Sequence, residues 1–188
     1  MKRTDHALTR DKERTCRAIL ESAEQMFAER GSKASLADIA VAAGVTKSGL
    51  MHHFPNREAL IYGVIEHCIT RMWEEIHAHI DLSENRPGKF TRGYVRALTG
   101  GSAYLMDTFN PGTLLATLGN PPGIEALYAR DAEKLSAAFA ADGLPRSRVL
   151  MIRFAAEGLA LSAASPYLTS DDLELARSEL LALTDVQT

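Results

Sequence analysis

From Thr46 to Arg57 the chain reads TKSGLMHHFPNR, a stretch dense in side chains that donate hydrogen bonds to anionic or carbonyl oxygens. Lys47 brings an ammonium, Ser48 a hydroxyl, His52 and His53 imidazoles and Arg57 a guanidinium, while Gly49 brings no side chain and Met51 a soft apolar tip. Such a set suits recognition. Lysine, serine and helix N-termini bind phosphate oxygens, a lysine can also reach guanine O6 and N7, and an apolar tip can touch a thymine methyl. Reaction chemistry is poorly supported. The chain has no G-x-S-x-G, no H-E-x-x-H and no phosphate-cradling glycine loop, and Glu66 and Glu157 are single carboxylates among apolar residues. An enzyme is not expected, nor any cofactor.

The elements that must position these residues follow from local signals. Ser35 can cap a short helix, and Asp38 three residues on closes an S-x-x-D capping box. Leu36, Ile39, Ala40 and Ala43 follow at helical spacing, and Gly44 supplies the positive φ where that helix stops. Thr46 can cap a second helix running to Phe54, which Pro55 ends because the residue before a proline avoids the α region. Leu50 and Phe54 share one face of it, leaving Lys47, Ser48, Met51 and His52 to point outward. Two helices this short, joined by a tight turn, make sense as a helix-turn-helix that presents its second member to a major groove. Ser35 and Thr46 thus carry a double expectation, as caps and as phosphate donors.

The lead-in AILESAEQMFAERG, then SLADIAxxAGV, then TKSGLMHHFxNREAL, resembles the DNA-binding core of the TetR family of bacterial transcriptional regulators over residues 14 to 65. Two positions depart from that pattern. Met51 stands where the family usually has an aromatic residue, most often Tyr, and Arg57 where it usually has Lys. Met51 lacks a phenolic hydroxyl, whereas Arg57 keeps a phosphate-binding charge. The candidate DNA contacts are therefore Ser35, Thr46, Lys47, Ser48, Gly49, Met51, His52, His53 and Arg57.

A length of 188 residues with 46% hydrophobic residues suits one or two domains with a real core. The net charge of −3 excludes a basic coat, yet residues 1–57 hold ten Lys/Arg against seven Asp/Glu, and the remainder eleven against seventeen. The cationic excess thus accompanies the helix-turn-helix. Cys16 and Cys68 lie far apart with no C-x-x-C, which argues against a zinc site and a disulfide scaffold; a redox role for either is a minor alternative. The early residues lack the order of a signal peptide, and no run is long enough to span a membrane, so a soluble, cytoplasmic protein is expected.

Apolar periodicity predicts an all-α chain of about nine helices. Residues 1–10 look like a frayed terminus, and a helix runs from Asp11 to Arg30. Asn56 caps a helix continuing toward Ile80. Another follows from Phe90, loosened at Gly100 and Gly101, then a short one from Thr113 to Leu118, and one from Ile124 to about Ala141. The last two are expected over Pro145 to Ala164 and from a cap at Ser170 or Asp171, the final helix burying Leu173, Leu175, Leu180 and Leu183. Residues 1–56 are expected to form a three-helix DNA-binding domain and 57–188 a helical ligand-binding and dimerisation domain.

The middle region is rich in aromatic and flexible apolar residues. Trp73, Phe90, Tyr94, Tyr104, Met106, Phe109, Asn110, Leu114, Leu118 and Tyr128 are the candidates for contacting a small, mainly apolar effector. A two-fold homodimer through the last two helices would place two readers on double-stranded DNA, and their small residues from Ala155 to Ala164 permit close packing. The resemblance implies the same dimer and an effector-controlled regulator, most often a repressor of a palindromic operator. The competing expectation is a helical DNA-binding organiser or adaptor without an effector pocket.

Overall fold

A computed structural model of the chain describes residues 2–108, 118–163 and 165–185. The fold is all-α, with nine α-helices among the described residues: α1 Lys2–Arg30, α2 Leu36–Ala42, α3 Lys47–His53, α4 Arg57–Ala78, α5 Lys89–Arg96, α6 Ala103–Thr108, α7 Ile124–Ala140, α8 Arg146–Ser162 and α9 Ser170–Ala182. A 3-10 turn, Gly31–Lys33, follows α1, and a π turn, Ala97–Gly101, joins α5 to α6. Two compact units emerge, one holding residues 2–68 and 118–125, the other 69–108, 126–163 and 165–185. The first half of α4 belongs to the first unit and its second half to the other.

In the first unit, Ile19, Ala23, Met26 and Phe27 of α1 form a buried stripe with Ile39, Ala40, Leu50, Leu60, Ile61 and Val64. Gly63 on α4 makes room for Phe54. A methyl group there would stand 2.7 Å from Phe54 Cε1 and 3.2 Å from Leu20 Cδ2. The expectation of a frayed terminus at residues 1–10 is corrected, because α1 begins at Lys2. That segment contains no proline or glycine to interrupt a helix already propagating from Asp11.

The second unit is built around Trp73, Ile76, Tyr94, Val95, Leu98, Leu135, Phe139, Ile152 and Ala156, all buried. Asp142 fastens its start. The carboxylate accepts from Phe90 N (2.7 Å), Thr91 N (2.8 Å) and Thr91 Oγ1 (2.6 Å), satisfying amides that the first turn of α5 leaves orphaned. Gly88, at φ 87°, lets the chain turn into that helix. Arg92, 1% exposed, donates to Glu84, to Pro87 O (2.9 Å), to Arg86 O (3.3 Å) and to Thr184 Oγ1 (3.2 Å). A buried guanidinium without such partners would be strongly unfavourable.

The last helix departs from expectation in two ways. Its cap is Thr169, which accepts from Asp172 N at 3.1 Å, rather than Ser170 or Asp171. Of its leucines only Leu180 is buried, whereas Leu175 is 64% and Leu183 45% exposed. Those side chains share the helical period but lie on a face that the described residues leave open. The expected helix from Thr113 falls outside the described residues, apart from Leu118.

Candidate nucleic-acid interface

The turn between α2 and α3 is built from local signals. Ser35 Oγ accepts from Asp38 N at 3.1 Å and donates to Asp38 Oδ2 at 2.7 Å, completing the capping box. Gly44 has φ 68°, and Val45 N returns to Ala40 O at 2.9 Å. Thr46 Oγ1 accepts from Gly49 N at 3.0 Å, so the reader helix starts from a satisfied cap. Both hydroxyls are therefore engaged as caps.

Helix α3 is anchored by one residue. Leu50 is fully buried, while Lys47, Ser48, His52 and Met51 (42%) are exposed on the turns around it. Gly49 and His53 are partly covered. Burial holds His53 below its usual imidazole range, with His52 and Lys12 lowering it further. Lys12, on α1, was not among the residues singled out from the sequence. The signal for it was the spacing Lys12, Cys16, Ile19, which continues the stripe that packs into the core. Burial pushes the Cys16 thiol up, the opposite of what a reactive thiolate requires.

Arg57 is engaged within its own chain. Its guanidinium donates to the carbonyls of Ala34 and Ser32 (3.1 Å to the latter) and lies 5.1 Å from the centre of the Phe27 ring. It fastens the loop ahead of α2 to the start of α4. Asn56 caps α4 through Ala59 N at 2.8 Å.

The aromatic candidates are only partly brought together. Trp73, Phe90 and Tyr94 form a cluster with Phe139, with ring centres 5.1 Å apart for Phe90–Phe139 and Tyr94–Phe139 and 6.0 Å for Trp73–Phe90. Trp73 Nε1 donates to Asp131 at 2.7 Å, and Lys134 Nζ lies 3.8 Å from the centre of its ring. Tyr94 is 1% exposed and donates to Glu157 Oε1 at 2.7 Å, an oxygen also held by Arg153 Nε at 2.7 Å. Burial and the Glu157 carboxylate push its phenol well above the usual range. Tyr104 lies under Arg71, 3.6 Å from guanidinium carbon to ring centre. Tyr128 is half-buried on α7, and Leu118 belongs to the first unit. Phe109, Asn110 and Leu114 lie outside the described residues, as does the Met106 side chain.

A groove of about 550 Å³ runs between α8 and α9, with Ala155, Gly158, Leu159, Ala176 and Leu180 in its wall. Met151 (70%), Phe154 (59%), Leu161 (55%) and Tyr167 (94%) are exposed on α8 or in the loop after it. Among the described residues, no group of three or more His, Cys, Asp or Glu could hold a metal ion, and no helix is long and apolar enough to cross a membrane.

Residues 19–62 match the family of bacterial regulatory proteins, tetR family, and residues 88–185 match the tetracyclin repressor-like C-terminal domain. The chain belongs to the TetR family. The HTH-type transcriptional repressor Rv3405c of Mycobacterium tuberculosis is 33% identical over 93 residues, covering 48% of this chain and 50% of that protein. The chain thus matches about half the length of its curated relatives. A TetR-family regulator from Rhodococcus sp. has the same fold, with a TM-score of 0.69 at 18% identity over 91% of this chain and 97% of that one. LfrR of Mycobacterium smegmatis, solved in complex with proflavine, has a TM-score of 0.57 at 20% identity over 93% and 99%.

Proposed function

We propose that this TetR-family chain is a transcriptional repressor that binds a palindromic operator as a homodimer and is released by a small, mainly apolar effector. Residues 1–56 act as the reader and 57–188 as the effector-binding and dimerisation part. One observation carries the reading: a capped helix, Lys47–His53, held by a buried Leu50 with Lys47, Ser48, Met51 and His52 turned outward. Lys47 and Ser48 take phosphate or base edges, Met51 and His52 read bases, and Gly49 allows the backbone close to DNA. Ser35 and Thr46 contribute through the helix starts they cap, and His53 reaches a phosphate from the end of α3. Arg57 acts mainly by holding the loop that aims α2 and α3.

The dimer forms through α8 and α9, whose exposed Met151, Phe154, Leu161 and Leu175 would otherwise face water. The two helices carry opposite charge. On α8, Arg146, Arg148 and Arg153 outnumber Glu157, whereas on α9 Asp171, Asp172, Glu174 and Glu179 outnumber Arg177. A two-fold pairing that lays α8 of one copy on α9 of the other sets each against its opposite. The repressor role is that of Rv3405c by name, and the effector role is supported by the aromatic cluster and by LfrR, which was solved with proflavine.

The close packing of Trp73, Phe90, Tyr94 and Phe139 on one another favours a second reading, a DNA-binding organiser without an effector. Selection of duplexes from a random-sequence pool by the full chain tests the proposal. Enrichment of an inverted repeat, followed by release with an apolar compound, is the expected result. Enrichment without release by any compound favours the organiser, and no enrichment overturns both.

A further inference from the structure

We infer that Lys12, His52 and His53 form one phosphate site that takes up a proton when DNA binds, so that operator affinity rises as pH falls; the inference rests on the DNA-binding reading above. All three residues lie in the first unit, Lys12 on α1 and the two histidines in the last turn of α3. The imidazole ring centres are 6.1 Å apart, with the ring planes at 80°. His52 is exposed, whereas His53 is partly covered and lies 6.5 Å from the Phe54 ring. Lys12 is exposed, on the α1 stripe that continues through Cys16 and Ile19 into the core.

The groups that act on the His53 imidazole all oppose its charge. Burial comes first, and His52 and Lys12 add to it, so the free chain holds this ring below the usual imidazole range. Other charged groups on the surrounding helices are engaged elsewhere or face water. Asp11 pairs with Arg14 at 3.0 Å, Asp38 accepts from Ser35 at 2.7 Å, and Arg57 donates to the carbonyls of Ala34 and Ser32. Glu13, Lys47 and Glu58 are exposed.

A phosphate oxygen set between Lys12 and His53 reverses the field at that ring. An anion close to an imidazole favours its protonated form, so the ring takes a proton from solvent and donates it in a hydrogen bond to the phosphate, which stays anionic. The complex then binds the proton more readily than the free chain. The gain in affinity is complete below the free chain's imidazole value and is lost as pH rises through that of the complex. Each pH unit between the two values is worth about tenfold in affinity per reader. Lys12 serves twice, as a phosphate contact and as the charge that keeps His53 neutral in the absence of DNA.

The test is the affinity of the full chain for a duplex selected by the wild type, from about pH 8 to about pH 5.5 at several salt concentrations, with the free chain's imidazoles titrated by proton NMR. Wild type should bind about 10- to 100-fold tighter at the acid end, with a salt dependence steeper there by about one unit per proton taken up. His53→Gln, which cannot titrate, should flatten most of this profile, and the double variant with His52→Gln should remove it. Lys12→Met should move the free-chain titration of His53 upward and make the salt dependence shallower at every pH. Wild-type affinity constant within about twofold across the range, or a double variant that keeps the wild-type profile, overturns the inference. If His53→Gln loses its cooperative thermal transition, Lys12→Met, a change at an exposed position, decides: an unmoved His53 titration and an unmoved salt slope overturn the shared site. A wild-type chain that selects no duplex sinks the DNA-binding reading itself, whereas selection with a flat pH profile sinks this inference alone.

Discussion

Leu50 and Met51 are neighbours in the sequence with opposite fates, and exchanging each for alanine separates folding from recognition. Leu50 is 0% exposed at the centre of the first unit, and Met51 is 42% exposed on the outer face of α3. Truncating a fully buried leucine removes its transfer energy and leaves a cavity, about 2–5 kcal/mol in total. With a urea dependence of about 1–3 kcal/mol per molar, a loss of about 3 kcal/mol lowers the midpoint by about 1–3 M. Met51→Ala changes stability by no more than about 0.5 kcal/mol, since its side chain lies on the outer face of α3 and not among the buried core residues. On DNA the order reverses: loss of one methyl-sized contact with a thymine methyl costs about 0.8 kcal/mol, about fourfold in affinity. Urea unfolding followed by circular dichroism, with duplex binding measured on the folded fraction, reads both effects. The reasoning is refuted if Met51→Ala lowers the midpoint as far as Leu50→Ala, or if Leu50→Ala leaves it in place.

Glu84 governs an acid transition. Burial alone would raise its carboxyl, but hydrogen bonds and charge from Arg96 and Arg92 outweigh that and hold it below 4.5. The unfolded chain then binds the proton more readily, so the stabilisation is complete above that value and lost as pH falls through the lower folded one. Urea midpoints of Glu84→Gln should show a flattened acid limb and, at neutral pH, a deficit of about 3–5 kcal/mol from leaving Arg92 buried without its ion partner. Arg57→Ala should cost about 2 kcal/mol through the lost carbonyl bonds to Ala34 and Ser32. Arg57→Lys keeps the charge but not the two-pronged grip, so wild-type thermal stability in that variant would count against the fastening role.

Features carried by neighbours in sequence were legible before any coordinates. The caps at Ser35, Thr46 and Asn56, and the turn at Gly44, each depend on residues within about one helical turn, and the helix pattern followed from them. What stayed hidden depends on distant partners. Asp142 caps α5 from 51 residues away, Arg92 meets Thr184 across 92, and Arg57 reaches back 25 to Ser32. Periodicity also states that Leu175 and Leu183 belong to one stripe without saying what covers it, and here the described chain does not. The aromatic residues were identifiable as a group, but only coordinates show Trp73, Phe90 and Tyr94 closing on Phe139 and the Tyr94 hydroxyl committed to Glu157. Among the candidate DNA contacts, exposure of Lys47, Ser48, Met51 and His52 was expected from the one face shared by Leu50 and Phe54, whereas the proximity of Lys12 to His53 required the path of α1.

The most direct test of the outward face of α3 is the salt dependence of binding to a selected duplex and to a scrambled one, for the wild-type chain and for Lys47→Ala. The account predicts tighter binding to the selected duplex, a linear fall of log affinity with log salt, and a slope about one unit shallower in the variant if Lys47 holds a phosphate. Loss confined to particular base sequences would instead mark Lys47 as a base reader. Equal affinity of the wild-type chain for both duplexes, or a Lys47→Ala variant that tracks it at every salt concentration, would contradict the claim.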